Sequence, residues 1–552
     1  MTELCPPTHC RSERRPPADE RLRELASDLS IVSLHRLLPE DLGEDLPAVD
    51  QTFSGFGNDG AGTGTGTTGH RDYLERRPEA FRRFVARVGS HPGRPTLDLI
   101  HTELPHVPWN YLPSGHEYVT SSEGVPGTDK DRWNADTRLI RQGEQRYLLQ
   151  VAYVDRLLGR LLDRLRATGL YERSLVIVTA DHGLAFRPEL SRRAITDKTF
   201  EQIASVPLFI KAPGQRRGAV DDSAAHNVDV VPTIADHLGS PLTWRTDGRS
   251  LRDPAPAGDA SPSVFAKYGP TLTLPFAEFR RRRDALVRRV AGTFGADDNG
   301  RGVFAPGGDF GLIGRAVDGM PAAPPISARV ELDDPRSLAA VDRKAKVLPA
   351  YLAGRVSDLG PSRRLAIALN GRIAALTTTY SDGVNTRFEA LLDPDRIGAG
   401  ANRVALFELR GTPGARRLAR LGQAETGYTL AGEEGREELV DSSGRRVPVA
   451  EGALEGFVEN NEFKDGVLRM FGWSASQSLG AARKIVVFAG GRFLIASRPS
   501  APRPDVAKTQ GVRSLLSGFN IAASLGSAPE EGDLRVFGVA RGKASELPQL
   551  KP

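Results

Sequence analysis

The feature that most restricts the fold of this sequence is a long amphipathic helix followed closely by a β-strand. Apolar residues recur every three or four positions along residues 148–165, which predicts a helix with one apolar stripe. Gly169 ends this helix, and the strand "SLVIVTA" (174–180) begins within five residues of it. A joint this short is typical of a parallel sheet covered by helices. The apolar positions of the stripe are Leu148, Val151, Val154, Leu158, Leu161 and Leu165.

The same kind of alternation extends over residues 21–270. Short apolar runs are separated there by helical patterns, which is the signature of an α/β domain built in layers. Three more runs are predicted to be strands, at residues 29–34, 96–102 and 206–212. Residues 1–20, which are polar and rich in proline, are predicted to form an arm ahead of this domain.

Composition argues against two classes of partner. The formal net charge of +5 is small for 552 residues, so we expect no binding to nucleic acid, which needs a concentrated basic face. No window approaches the roughly 18–20 uninterrupted apolar residues of a membrane span. The first residues also lack the apolar core of a signal peptide. As printed, the sequence is therefore expected to be soluble.

The character of the sequence changes after the α/β region. Residues 271–345 are predicted to form a helical and irregular linker. Its basic run "FRRRRDALVRR" (279–289) is typical of a solvated helix face, with attraction to anionic lipid or glycan as the alternative. Two mostly β modules, similar in size to β-sandwiches, are predicted at residues 346–415 and 425–552. Neither contains a cluster of titratable residues, so we expect contact with carbohydrate, a partner or the cell surface, or packing alone.

Each β module contains a strong hairpin signal. "LAIALNGRIAAL" (365–376) is two alternating strands around Asn370 and Gly371, and "IVVFAGGRFLIAS" (485–497) repeats this design around Gly490-Gly491. Similar strand pairs follow both hairpins. The sequence therefore predicts a weak internal repeat with an offset of about 120 residues.

Polar residues collect beyond the carboxyl ends of two predicted strands, where ligand sites of open α/β sheets lie. The strand at 96–102 leads into two histidines, and the strand at 174–180 leads into an adjacent aspartate and histidine. The loop before the strand at 206–212 adds an arginine and a lysine. We expect these side chains to converge on one site. They are His101, His106, Asp181, His182, Arg187 and Lys198.

These residue types form a coherent set chemically. A carboxylate beside a neutral imidazole can bind a divalent cation, and the carboxylate of Asp181 favours hard ions such as calcium, magnesium or manganese. His106, Lys198 and Arg187 could hold an oxyanion such as sulfate or phosphate and stabilise charge on a leaving oxygen. The structural alternative is that Asp181 caps a turn while His182 packs in the loop.

Residues 90–252 resemble the carboxyl-terminal half of a sulfatase-type catalytic domain, which belongs to the alkaline-phosphatase-like superfamily. The resemblance implies an α/β fold with a mixed sheet and flanking helices, and metal-dependent hydrolysis of sulfate esters. The matching segments occur in consistent order and spacing. They are "HTELPHVPW" (101–109), "YLLQVAYVDRLLGRLLDRLRATGLYERSLVIVTADHG" (147–183), "KTFEQIASVPLFIKAPGQ" (198–215), "VDVVPTIADHLG" (228–239) and "DGRSL" (247–251).

The resemblance implies roles for four residues. Asp181 and His182 match the family's late pair of metal ligands. His106 matches the histidine that contacts the ester group of the substrate. Lys198 matches the lysine that reaches the transferred group.

Two other candidates, His101 and Arg187, are assigned to substrate binding from their positions in the chain. The resemblance also bears on the transferred group. An aspartate-asparagine pair is more usual in true sulfatases, whereas aspartate-histidine is commoner in relatives that act on phosphate and phosphonate esters. The expected substrate is therefore a small-molecule or glycan sulfate ester, with a phosphate ester as the alternative.

Part of the family's site has no counterpart in this sequence. No segment before residue 90 matches the first metal aspartates or the nucleophile. "CPPTHCR" (5–11) has the wrong spacings, and "SIVSLHRLLPEDL" (30–42) ends its predicted strand in Ser33 and His35 instead of carboxylates. We therefore expect the chain as printed to be incomplete or inactive alone. The resemblance implies a full-length parent that is membrane-associated through an amino-terminal segment and faces outward.

Three functions remain open from the sequence. The leading one is a sulfatase-like, metal-dependent hydrolase of sulfate esters. The second is a phosphate ester hydrolase, or a phosphoglycerol-type transferase that acts on cell-envelope polymers. The third is a non-catalytic surface protein whose β modules bind glycan.

Overall fold

The structure is a computed structural model whose chain divides into two compact units. One unit comprises Met1–Val88 with Thr96–Glu103, and the other comprises Gly89–Pro95 with Leu104–Pro552. The residues that the structure describes are 29, 30, 33, 68–89, 96–120, 127–129, 131–240, 242–254, 261–264, 271–296, 300–383, 385–423, 427–433, 435–441, 444–499, 501, 503–525, 528–530 and 532–549. The predicted polar arm and the segment 5–11 lie outside the described residues.

The smaller unit contains helix α1 (Thr68–Arg87) and overturns two strand predictions. The described residues within 29–34 are helical. Residues 96–102 are irregular, with the side chains of Leu97 and Leu99 exposed. A short apolar run is compatible with helix, strand or loop, and a strand forms only where a neighbouring strand takes up its backbone hydrogen bonds.

The larger unit begins with an α/β part made of short strands and helices. Its elements are β1 (Thr128–Asp129), β2 (Arg132–Trp133), α2 (Thr137–Ala167), β3 (Val176–Thr179), α3 (Phe200–Ala204), β4 (Leu208–Lys211), α4 (Val230–His237), β5 (Ser263–Val264), β6 (Leu272–Thr273) and α5 (Phe276–Phe294). The predicted class, an α/β region followed by mostly β modules, is confirmed by this order and by the strands that follow it.

Helix α2 is the predicted amphipathic helix, and its buried face differs by one position from the predicted stripe. The carboxylate of Asp136 caps its first turn by accepting from two backbone N–H groups. The most deeply buried positions are Leu149, Gln150, Tyr153 and Leu157. Because the polar Gln150 belongs to this face, a pattern of apolar residues alone places its centre one residue away.

Strands β3 and β4 pair antiparallel, with Val176 opposite Lys211 and Thr179 opposite Leu208. The prediction of a parallel joint after α2 is therefore wrong for this pair. The short connection at Gly169 does close the helix before the strand, as expected. The length of the loop between α2 and β3 did not determine the pairing of β3, because its partner β4 belongs to a later segment of the chain.

The basic run on helix α5 is a solvated face whose arginines are paired with carboxylates. Arg281 and Arg282 both bond to Glu278, one turn earlier, and Arg289 bonds to Glu144 on α2. Arg282 also reaches Asp197 in the loop before α3. These ion pairs support the interpretation of the run as a solvated face.

The first β region consists of two antiparallel-rich sheets that enclose a common apolar core. Their orders are β10-β9-β13-β14 and β11-β12-β8-β7-β15. The strands are β7 (Arg329–Leu332), β8 (Tyr351–Ser357), β9 (Arg364–Leu369), β10 (Arg372–Thr378), β11 (Tyr380–Ser381), β12 (Thr386–Leu391), β13 (Val404–Arg410), β14 (Arg417–Arg420) and β15 (Gly422–Gln423).

The second β region has its own core and a matching pair of sheets. The orders are β23-β22-β25-β26 and β19-β20-β21, with β24 also on β20, beside a three-stranded sheet β16-β17-β18. The elements are β16 (Tyr428–Ala431), β17 (Glu438–Asp441), β18 (Arg446–Pro448), β19 (Glu455–Lys464), β20 (Val467–Ser476), β21 (Gly480–Ala481), β22 (Lys484–Ala489), β23 (Arg492–Ser497), α6 (Pro504–Gln510), β24 (Gly518–Ser524), β25 (Leu534–Ala540) and β26 (Lys543–Glu546).

Both predicted hairpins are confirmed. Leu369 pairs with Arg372 across Asn370 and Gly371, which have φ values of 50° and 81°. The second turn, Gly490-Gly491, has φ values of 55° and 68°. Two consecutive positive φ values are the requirement of a type I′ turn, which explains the Asn-Gly and Gly-Gly sequences.

The predicted internal repeat is confirmed by strand pairing. In both regions a hairpin is extended by the same two later strands, as β10-β9-β13-β14 and as β23-β22-β25-β26. The facing sheets agree as well, since β12-β8-β7 corresponds to β24-β20-β19. The two regions are therefore two copies of one β-sandwich plan.

The repeat extends to individual residues, because the central strand of each facing sheet has a glycine at an equivalent position. Gly354 on β8 lies opposite Phe388, and Gly472 on β20 lies opposite Phe519. A Cβ at either glycine would come within 3 Å of that phenylalanine ring. Both phenylalanines are fully buried, so each ring fills the space that a side chain on the glycine would occupy.

None of the helices in the described part of the chain is both long enough and apolar enough to cross a lipid bilayer.

Candidate active site

Asp181 and His182 stand at the end of β3 with their polar atoms facing each other. Oδ2 of Asp181 lies 3.7 Å from Nε2 of His182. The other carboxylate oxygen, Oδ1, accepts a 3.0 Å hydrogen bond from the backbone N–H of His182. The aspartate side chain is 69% exposed and the histidine 33%, so both are reachable from solvent.

The two ring nitrogens of His182 have different partners. Nδ1 lies 2.7 Å from the carbonyl oxygen of Gly183, which can only accept, so Nδ1 carries a proton. Nε2 lies 3.2 Å from Nη2 of Arg193 and 3.7 Å from Oδ2 of Asp181. A backbone contact at Nδ1 is the usual way in which proteins orient a metal-binding histidine.

The strand end before Asp181 is fixed by Asn227, which the sequence reasoning missed. Nδ2 of Asn227 donates to the carbonyl of Ala180 at 2.8 Å, and its Oδ1 lies 3.0 Å from the hydroxyl of Thr179. Asn227 lies in a short 3₁₀ turn just before α4. A polar residue at the start of a helix is a weak signal in one sequence, so this anchor can be identified only from the three-dimensional structure.

The turn bearing Asn227 is itself held by the "DGRSL" segment. A Cβ at Gly248 would lie 2.1 Å from the carbonyl oxygen of Val228, so the two backbones touch. The backbone N–H of Arg249 donates to the carboxylate of Asp229 at 2.9 Å. Two of the segments that match in sequence are therefore in direct contact.

Loop 183–186 joins the His182 turn to the segment that carries Lys198. Gly183 N donates to the carbonyl of Ile203 at 2.7 Å, and Phe186 N donates to the side chain of Gln202 at 2.8 Å. A Cβ at Gly183 would lie 2.0 Å from the backbone oxygen of Gln202. Only glycine permits this approach of the loop to α3.

Lys198 lies exposed in the tight turn before α3. Its neighbour Thr199 is fully buried, and the Thr199 hydroxyl donates to the carbonyl of Ala194 at 2.9 Å. On the other side, Asp197 is held by Arg282 of α5 at 3.2 Å. The backbone around the lysine is therefore fixed, while the residue itself is exposed to solvent.

An aromatic cluster brings the His106 segment to the same place. Phe186 lies 5.8 Å from Trp109, 5.7 Å from Trp133 and 5.5 Å from Tyr147, measured between ring centroids. Val107 and Leu184 pack against this cluster as well. The loops that carry His106 and His182 thus share one aromatic support.

His106 is exposed, and its loop is tied to helix α2. The buried side chain of Gln150 donates to the carbonyl of His106 at 2.8 Å and accepts from the backbone N–H of Asn110 at 3.2 Å. Nδ1 of His106 lies 3.0 Å from the carbonyl oxygen of Val107. Gln150, the polar residue in the buried face of α2, therefore holds the loop that carries His106.

Within the described residues, no hydrogen bond or ion pair joins Arg187 or His101 to the side chains of the other four candidates. Arg187 donates to Glu201 at 2.7 Å, and that carboxylate is only 4% exposed, so the pair holds the loop to α3. His101 is exposed in the smaller unit. Their assignment to substrate binding stays a prediction.

Asp181 and His182 are two potential ligands of a divalent metal ion. Within the described residues, no group of three or more His, Cys, Asp or Glu side chains lies close enough together to hold a metal ion. Asp181 and His182 supply one oxygen and one nitrogen donor, a combination suited to a divalent cation.

Comparison with known proteins agrees with the sequence resemblance. Residues 59–240 match the family model described as Sulfatase. The chain is 34% identical over 139 residues to the multifunctional alkaline phosphatase superfamily protein PehA of Trinickia caryophylli, which covers 24% of this chain and 26% of that protein. It is 33% identical over 129 residues to the choline-sulfatase of Rhizobium meliloti (strain 1021), with 22% and 24% covered. The predicted resemblance to the sulfatase family is thereby confirmed.

The coverage of these relatives is partial. A third relative, arylsulfatase K of Bos taurus, is 35% identical over 106 residues, which is 19% of either chain. The chain thus spans about a quarter or less of the length of these curated relatives. Among solved structures, a phosphonate monoester hydrolase from Silicibacter pomeroyi shares 24% identity at a TM-score of 0.21, covering 28% of this chain and 41% of that one. A 2-O GAG sulfatase shares 17% at 0.23, covering 39% and 57%.

Proposed function

We propose that this chain, with its sulfatase-family segment at residues 59–240, takes part in metal-dependent hydrolysis of sulfate esters. The observation that carries the proposal is the pairing after β3. Nε2 of His182 and Oδ2 of Asp181 face each other at 3.7 Å, while Nδ1 is engaged by the backbone of Gly183. A histidine oriented in this way beside a carboxylate is suited to share one cation with it.

Asp181 and His182 would hold a calcium, magnesium or manganese ion. Once bound, such an ion would act as a Lewis acid that polarises the ester and lowers the energy of charge on the leaving oxygen. The backbone N–H of His182 keeps the Asp181 carboxylate turned toward the ring. Asp181 and His182 would therefore contribute two of the protein ligands of the metal ion.

His106 and Lys198 would bind the ester group. The exposed ring of His106 would contact the ester group, and the ammonium group of Lys198 would neutralise the charge that develops on the transferred group. The aromatic cluster and Gln150 hold the first loop, and Thr199 with Asp197 holds the second. Rigid backbone at both positions favours catalysis, because the charges need not reorganise during reaction.

Hydrolysis of phosphate esters is the second candidate function. It is favoured by one residue, His182, since the resemblance associates an aspartate-histidine pair with relatives that act on phosphate and phosphonate esters. The transferable group in either case is a tetrahedral oxyanion, so the same side chains would serve both reactions.

Turnover by the full-length protein that the gene encodes tests the proposal. We expect hydrolysis of an aryl sulfate that requires an added divalent ion and falls by about 100-fold or more in Asp181→Asn and His182→Ala. Asp163→Asn, an exposed carboxylate on α2, is the matched control and should leave the rate unchanged. Faster turnover of an aryl phosphate would favour the second candidate. Hydrolysis of neither ester in calcium, magnesium or manganese would contradict both.

A further inference from the structure

Arg193 is a cation at the candidate site that the sequence did not single out. Its Nη2 lies 3.2 Å from Nε2 of His182. We propose that Arg193 binds the tetrahedral oxyanion of the transferred group, sulfate or phosphate, beside the Asp181-His182 pair. This inference rests on the proposed function and adds a residue to its substrate site.

The backbone of Arg193 is fixed by a serine. The hydroxyl of Ser191 accepts from the backbone N–H of Arg193 at 3.2 Å and from that of Ala194 at 2.9 Å. The same hydroxyl donates to Asp131 at 2.5 Å. The arginine therefore projects from a loop whose path is held in place.

Three neighbouring arginines that pair with carboxylates provide a contrast to Arg193. Arg187 is paired with Glu201, Arg192 with Asp131 and Arg282 with Asp197. Within the described residues, the hydrogen bond of the Arg193 guanidinium is with Nε2 of His182. No carboxylate in that part of the chain forms an ion pair with Arg193, and the carboxylate of Asp181, which faces the same nitrogen, would be engaged by the metal ion.

An anion satisfies both the charge and the donors of this guanidinium. Arginine presents five N–H groups in a planar fork, and one of them is used by His182. The others can bond two oxygens of one sulfate or phosphate group in parallel. With Lys198 on the adjoining turn, the site would place two cationic side chains around the transferred group, next to the residues that would hold the metal ion.

A structural role for Arg193 is the alternative, in which it serves only to hold the His182 ring. That role predicts no effect of the arginine on anion affinity. Binding of inorganic anions therefore separates the two explanations without any need for turnover.

Equilibrium dialysis of the full chain against radiolabelled sulfate, and in a second arm radiolabelled phosphate, tests the proposal at constant ionic strength in chloride. We expect saturable binding of at least one anion, weakened about tenfold or more in Arg193→Met and in part restored in Arg193→Lys. Arg216→Met, an exposed arginine, is the charge-matched control and should bind like the unaltered chain. The anion that binds more tightly identifies the transferred group.

Two results would overturn the assignment: no saturable binding of either anion by the unaltered chain, or equal affinities for the unaltered chain and Arg193→Met. Asp181→Asn distinguishes this proposal from the hydrolase proposal. If that variant and the unaltered chain bind manganese with the same affinity while Arg193-dependent anion binding persists, the metal-site proposal fails and the anion site stands.

Discussion

Nε2 of His182 lies between two partners of opposite charge, 3.7 Å from Oδ2 of Asp181 and 3.2 Å from Nη2 of Arg193. Because Nε2 has a single lone pair, a divalent cation bound there would displace the N–H of Arg193 and leave that guanidinium available for an oxyanion. Under the proposed function, the loop that presents this ring is the part of the molecule on which activity depends most.

Close packing of that loop gives the first prediction. Gly183→Ala should destabilise the fold by about 1–3 kcal/mol, because its Cβ would lie 2.0 Å from the backbone oxygen of Gln202. Gly159→Ala, in the middle of α2 with no atom near the new methyl group, should instead stabilise by up to about 1 kcal/mol. Urea unfolding of both variants measures the difference. Equal stability of the two variants would show that the loop does not pack on α3.

The aromatic cluster gives the second prediction. Phe186→Ala removes contacts to Trp109, Trp133 and Tyr147, and should lower the free energy of unfolding by about 2–4 kcal/mol. Because both loops rest on this ring, hydrogen exchange should accelerate in residues 105–110 and in residues 180–186 together. Phe209→Ala, which alters a side chain that is 64% exposed, should change stability by less than about 1 kcal/mol. Faster exchange in one loop alone would argue against a shared support.

The repeat gives the third prediction. Ala at Gly354 or at Gly472 would bring a Cβ within 2.4 Å or 2.0 Å of a backbone oxygen on the neighbouring strand. Each substitution should therefore destabilise its own module by about 1–3 kcal/mol. Gly360→Ala, where the added methyl group meets no other atom, is the control and should stay within about 0.5 kcal/mol. Tolerance at one glycine and not at the other, in urea unfolding, would contradict the equivalence of the two modules.

A half-buried carboxyl between the modules gives the fourth prediction, which concerns pH. Asp334 lines a cleft with Tyr351 and Ala522, and burial there raises its pKa to about 6, although two backbone N–H groups oppose the shift. Since the pKa is higher in the folded state than in the unfolded chain, the folded state binds more protons in this range. The contribution of Asp334 to stability is therefore favourable at low pH and is lost as pH rises from about 4 through about 6.

Asp334→Asn keeps the acceptor oxygen and removes the charge, so it should stabilise the protein at pH 7 by about 1–2 kcal/mol and have little effect at pH 4. Urea unfolding at the two pH values measures this. Asp163→Asn, on an exposed aspartate, should show no such pH dependence. Lower stability of Asp334→Asn at pH 7 would mean that the ionised carboxyl is favourable in the fold.

The sequence predicted elements that are decided locally and missed contacts that are decided by distant segments. The turns at Asn370 and Gly490 require positive φ whatever surrounds them, so both hairpins could be predicted from a few residues. The irregular conformation of residues 96–102 could not be predicted. These residues have the composition of a strand, but no neighbouring strand in the described part of the chain pairs with them. The direction of β4 beside β3 is set by tertiary pairing, which no local pattern records.

The same distinction holds at the site. Asp181 and His182 are adjacent in the chain, so their proximity at the end of the strand could be predicted from the sequence alone. Which of Arg187 and Arg193 is available to a substrate could not be predicted from the sequence. It depends on which of the two arginines pairs with a carboxylate from α3. Gln150 and Asn227 act through single hydrogen bonds to loops that are remote in sequence, which composition and periodicity do not encode.

Manganese binding to the full chain tests the central claim most directly, since it asks whether the side chains at 181 and 182 bind one cation together. Titration followed by electron paramagnetic resonance should show a bound ion with nitrogen coupling from a single imidazole. His182→Ala should abolish the coupling, and both His182→Ala and Asp181→Asn should weaken affinity about tenfold or more, with His237→Ala unchanged. Manganese affinity that is the same in all four proteins, with no nitrogen coupling in any, would contradict the claim.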